Sequence, residues 1–212
     1  MKYLMLKNAG DQFRHPATGL PIKLYRIHAM MDFTTKQGRE VREGEIGGYI
    51  QDERNLSQTD FSWVFNTAKV FDMATLVDSI ATDNANVFGD SVVADSTISH
   101  SAHIRKNASV TNSVVTDRST VTDNARLDGC AMKNTSVACH DAQLKNCQLS
   151  EGASVGGKAK AENSKISGTS DIRGKTNILN CQIGGRSVIL SGDHVNETIF
   201  TEYELEIKTG NE

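Results

Sequence analysis

The chain has 212 residues, enough for one sizeable core, and carries 23 Lys and Arg against 26 Asp and Glu, a formal charge of −3. A charge so nearly balanced selects neither nucleic acid nor a membrane surface as partner, and no apolar run approaches the ~20 residues of a membrane span. The opening residues, Met1 to Asn8, hold too short an apolar run for a signal peptide, so the expected location is the cytoplasm.

Residues 1–62 follow no repeat and read as an N-terminal capping segment. Both prolines, Pro16 and Pro21, fall here, so every later residue has a backbone N–H to donate. Tyr25 to Phe33 alternates apolar with polar and predicts a strand. Glu43 to Ile50 predicts a Gly-rich turn. Its Gly47-Gly48 lacks the Lys-Ser/Thr and the strand–loop–helix setting of a phosphate loop. Trp63, just before the first repeat residue, is placed to plug the open end of the repeat region.

Residues 63–200 repeat every 17 positions. One apolar series runs Leu76, Val93, Val110, Leu127, Leu144, Ala161, Ile178, Val195. A second lies five residues on, from Ala81 and Ile98 through Ile183 to Phe200, and a third six further, from Val87 to Ile189. Extrapolated back, the lattice begins at Val64 and Val70. Small residues stand four places after two of the series; in one such column only Asp193 breaks the rule. A third column, Asp78, Asp95, Asn112, Gly129, Asn146, Asn163, Asn180, Glu197, holds residues suited to tight corners. Apolar spacing of five and six excludes a helix. The pattern predicts an all-β fold, a triangular parallel β-helix of about eight turns with an N-terminal β cap. At ~4.8 Å per turn the rod would be roughly 38 Å long.

Cys130, Cys147 and Cys181 share one column with serines and a threonine, so they read as small buried side chains in a stack. Cys139 lies elsewhere, and no CxxC occurs. The predicted metal set is therefore none, in a reduced protein. Residues 201–212 form the predicted C-terminal capping strand and tail. Phe200, Tyr203, Leu205 and Ile207 alternate there with Glu202, Glu204, Glu206 and Lys208, as a half-buried strand with a charged guard would.

The six-residue segments resemble the hexapeptide repeat of the left-handed β-helix superfamily, which includes trimeric acyltransferases. More narrowly, Leu24 to Ala29 with Asp32-Phe33, Gly47-Gly48-Tyr49-Ile50, Asn55-Leu56-Ser57 and Trp63-Val64 resembles a set of uncharacterised bacterial and prophage proteins that carry an acyltransferase label. The resemblance implies left-handed coils, a trimer, acyl-CoA as cosubstrate, and a His base beside a loop that covers the subunit cleft. The unbroken lattice departs from that pattern, since it leaves no loop to form a lid.

If the chain catalyses, His140 and His103 are the candidates for the base. His100 and His140 fall at corners, and His103 and His194 precede apolar lattice residues, so all four are expected to be exposed. Charge is split along the repeat. Residues 63–100 hold one lysine against five aspartates, a net −4, and residues 156–190 hold six cations against two carboxylates, a net +4. Lys158, Lys160, Arg173 and Lys175 form the candidate anion or partner site, with Lys158 and Lys175 one turn apart. Phe71 and Phe88 are also one turn apart and come just after interior residues, so their rings should stack outward, joined by Phe65 and Val92. Such an aromatic patch is covered by the N-terminal cap, by a homotrimer or by a foreign partner, ranked in that order.

The expected function is non-catalytic: a β-helical binding protein, phage- or prophage-encoded, that engages a host protein such as a defence component or sequesters an anionic ligand. No cofactor is needed. The alternative is an acyl-CoA-dependent acyltransferase, and a third reading, a nucleic-acid mimic, is weakened by the basic segment.

Overall fold

The computed structural model describes residues 1–208, with side chains as far as Glu202. Parallel strands of two or three residues stack into a β-solenoid of about nine turns, one more than the repeat count. Each coil has three faces. On face 1, Val92–Ala94 sits in register between Thr75–Val77 and Ser109–Thr111. Face 2 runs through Trp63–Val64, Ile80–Ala81 and Thr97–Ile98, and face 3 through Lys69–Val70, Asn86–Val87 and His103–Ile104. The three apolar series fill the interior along most of the rod, where Val64, Val70, Val93, Ile98 and Ile104 are fully buried. Burial of these stacked aliphatic side chains is the main stabilising term.

Corners are left-handed. Asp78, Asp95, Asn112, Asn146, Asn163 and Asn180 all have φ between 46° and 53°, the region Asn and Asp tolerate best. Beside them runs a hydrogen-bonded ladder. Ser79 Oγ donates to the Val77 carbonyl (2.7 Å) and accepts the Ser96 N–H (3.0 Å), and Ser96 Oγ repeats the pattern toward Ala94 and Ser113. Cys130, Cys147 and Cys181 are buried free thiols in that ladder, each donating to the carbonyl two residues back. The Cys130 contact, and burial after it, push the Cys147 thiol pKa up.

The capping segment is built of strands, as expected, but the strand predicted over Tyr25 to Phe33 runs instead from Pro21 to Ala29. Strand β1 (Tyr3–Met5) and strand β2 (Asp11–Arg14) both pair antiparallel with β3 (Pro21–Ala29). A short hairpin comes next, β4 (Phe33–Thr34) with β5 (Glu40–Val41). The Gly47-Gly48 segment is not a turn: it lies inside β6 (Ile46–Ile50), which pairs with β3 on one side and with Lys69–Val70 on the other. A bridge from Leu56 to Leu76 completes this first irregular coil. The glycines let β6 approach the rod, because a Cβ on Gly48 would lie 2.6 Å from the Ala68 carbonyl oxygen. Trp63 does not plug the interior. It pairs with Ile80, in the column that flanks Val64, and is buried beneath the rings of Tyr3 and Phe33, 6.3 and 5.5 Å away.

At the other end the lattice contracts. Ile172 pairs with Ile189, 17 residues on, but Ile178 pairs with His194, only 16 on, and Ile183 with Ile199. His194, expected to face outward, therefore takes the interior position at 3% exposure, its Nδ1 2.8 Å from Glu197 Oε2. Val195 and Phe200, expected inside, are exposed, Phe200 at 70%. Thr176 pairs with Gly192, so Gly192 supplies the small residue that Asp193 does not, and Asn196 takes the corner assigned to Glu197. The last strand, Thr198–Lys208, pairs parallel with Gln182–Val195. The side chains of Tyr203, Glu204, Leu205, Glu206, Ile207 and Lys208 lie outside the described residues.

Candidate functional site

The aromatic column is occupied by the chain's own cap. Phe71 and Phe88 stack with ring centroids 4.9 Å apart and planes at 3°. His15 lies edge-on to both at 5.5 and 5.6 Å, and Leu24, Tyr49, Phe13 and Ile22 close over them. Phe65 is buried under Arg39, whose guanidinium carbon lies 3.7 Å from the ring centre. Val92 alone of the four stays exposed. The acidic end of the rod is met by the same cap: His15 Nε2 lies 3.0 Å from Asp72, and Lys36 bridges Asp78 and Asp95.

The basic end has no such cover. Lys158 and Lys175 come directly after Gly157 and Gly174, successive left-handed corner residues between faces 3 and 1. Lys160 points from face 1 and Arg173 from face 3, so the four cations wrap one edge rather than share a plane. Arg173 is paired with Asp171, which raises the guanidinium's pKa. Among the described residues Lys158, Lys160 and Lys175 have no carboxylate within 4.0 Å. Sequence reasoning missed how face 1 extends this charge. Arg126, Gln143, Lys160 and Asn177 succeed one another in register. They border a shallow open trough of about 600 Å³ whose opposite side includes Asp128, Lys145 and Glu162. Lys145 pairs with Glu162 at 3.5 Å, whereas Arg126, like Lys160, has no ion pair among the described residues. Toward the cap the same face turns apolar, with Val77 and Val92 exposed.

The two histidine candidates both belong to face 3 and its edge. His103 is half-buried, and burial, with Arg105 next to it, lowers its pKa. His140 occupies a corner at φ 58°, its N–H donating to Asp123 Oδ2 at 3.1 Å. Its ring turns back onto the neighbouring side chain, placing Nδ1 3.1 Å from Cys139 Sγ. That contact had no signal in the strand alternation, which sends adjacent side chains apart; a left-handed corner brings them together. Burial, Asp123 and Asp171 push the Cys139 thiol pKa up. No group of three or more metal-ligating side chains occurs among the described residues, and no helix is long and apolar enough to cross a membrane. No protein-family model and no curated protein matches the chain.

Proposed function

We propose that the protein is a non-catalytic binding rod that presents face 1 to a protein partner with an acidic and partly apolar surface. One observation carries the reading: the cap's Lys36 and His15 reach Asp72, Asp78 and Asp95, three of the five aspartates at the acidic end, while Arg126, Lys158, Lys160 and Lys175 are left without counter-ions among the described residues. Like charges one coil apart repel, and an acidic partner relieves that repulsion on docking. Exposed Val77 and Val92 extend the surface with the apolar contact that stable interfaces place at their centre. The regular coils of face 1, with no insertion to form a lid, suit a broad flat contact better than a small substrate. A host protein, a defence component included, is the expected partner, and self-association into the trimer implied by the hexapeptide resemblance is the competing use of the surface.

The test is native mass spectrometry of the protein purified from its own cells, with acetyl-CoA turnover measured on the same sample. The expected result is a complex with an acidic protein that is lost in the Arg126→Glu, Lys160→Glu double variant. Bound CoA, acetyl-CoA consumption, or a complex indifferent to the charge reversal would overturn the reading.

A further inference from the structure

We propose that the occupant of face 1 is a single amphipathic α-helix of the partner, lying along the rod with carboxylates seven residues apart over Arg126 and Lys160 and an apolar side chain over Val92. This occupant presupposes that face 1 docks a protein, as proposed above, and specifies the element that docks. One outward column of the face runs Val92, Ser109, Arg126, Gln143, Lys160, Asn177 in unbroken register. Its exposed cations stand on every second coil with an amide between them, and an exposed valine lies two coils before the first. At ~4.8 Å per coil, Val92, Arg126 and Lys160 follow one another at intervals of about 9.6 Å. A partner that meets both cations at once must repeat its carboxylates at that interval. An α-helix does so: residues seven apart share a face and lie about 10.5 Å apart along the axis, and flexible Arg and Lys side chains absorb the difference. An extended strand does not, because its same-side residues recur at multiples of about 6.7 Å.

The trough supplies the seat. The column from Ser109 to Asn177 forms one wall, and Asp128, Lys145 and Glu162 stand on the other. Asp128 and Glu162 share coils with Arg126 and Lys160, so the helix carries its acids on one flank and is neutral or basic on the other. An acidic glycan would leave exposed Val92 without an apolar contact. Among the described residues the chain's only helical segments are the short 3-10 turns Lys7–Ala9 and Glu53–Asn55, so a second copy has no α-helix there to offer and the partner is a different protein.

The probes are two fluorescent, Ala-rich helical peptides of about 18 residues and identical composition. One places Leu, Glu and Glu at seven-residue intervals; its isomer brings the two glutamates to four residues apart. Binding to the full-length protein is followed by fluorescence anisotropy at low salt, where exposed ion pairs are least screened. The heptad peptide is expected to bind about fivefold more tightly, the upper worth of one exposed ion pair. Gln143→Lys combined with Lys160→Gln keeps the net charge but moves the second cation one coil toward Arg126, and should invert the preference. Equal affinities, no binding by either peptide, or a preference unmoved by that exchange would overturn the helical occupant. If the native complex is then still lost in the Arg126→Glu, Lys160→Glu variant, face 1 docks a protein through some other element; if it persists there, the docking reading itself fails.

Discussion

The contact between cap and rod can be tested at Phe88. Its ring is 3% exposed, stacked on Phe71 at 4.9 Å and met edge-on by His15, so one side touches the solenoid and the other the β2–β3 hairpin. Truncating a buried Phe to Ala costs about 3–5 kcal/mol, of which ~0.5–1.5 belongs to the ring pair itself. The ring lies between two bodies, so the loss should fall on the attachment of the hairpin rather than on the coils. A loss of ~3 kcal/mol corresponds to roughly a hundredfold fall in protection of the hairpin amides from hydrogen exchange. Phe88→Ala should therefore expose residues 11–29 to exchange while the coils from Val110 to Ile166 keep their protection. Phe88→Leu, which retains most of the volume, should cost under ~1.5 kcal/mol. Unchanged exchange in the hairpin, or an equal loss along the whole rod, would refute this account of what holds the cap.

Gly48→Ala should destabilise by ~1–3 kcal/mol, because its Cβ would meet the Ala68 carbonyl oxygen at 2.6 Å and backbone cannot yield as a side chain can; an unchanged urea midpoint would show that β6 does not approach as described. For His103, burial holds the folded pKa below the ordinary 6.5, so in the window beneath 6.5 the unfolded chain binds the proton more readily and stability falls with falling pH. His103→Asn should flatten that slope in denaturant titrations from about pH 7 to about pH 5, and parallel losses in both proteins would refute the assignment.

The coils were legible because each must present the same row of hydrogen-bonding groups to the next, which forces equal length and makes the apolar residues recur. The last coil misled for a specific reason. Apolar residues, Val195 and Phe200, stand at the 17-residue positions, next to His194 and Ile199 at the 16-residue ones, and the interior took the latter. The breaks at Asp193 and at Glu197, a Glu in a column of Asp, Asn and Gly, were the visible signs of the shortened coil. The cap was less legible because its pairings join residues far apart in sequence, so Gly47-Gly48 read as a local turn when the glycines serve a strand pressed against the rod. The basic residues were found, but their distribution over two faces and a corner was not, and Arg126 went unnoticed because it lies outside the segment of highest charge. Cys139 beside His140 was hidden by the rule that neighbours on a strand diverge, which does not hold at a residue with φ near 58°.

The Ser and Cys ladder also bears on how the chain reaches this state. From Ser62 to Cys130, and again at Ser164, the Oγ or Sγ accepts an N–H from the next coil, as Ser96 does from Ser113 and Ser113 from Cys130, so a finished coil displays acceptors that its successor uses. Its partners lie about one coil along the chain, and closing so short a loop costs little entropy. The solenoid can thus grow as a one-directional zipper, with the cap as its starting edge. A chain made from its amino terminus delivers that edge first, and each newly synthesised length then condenses on a template already in place.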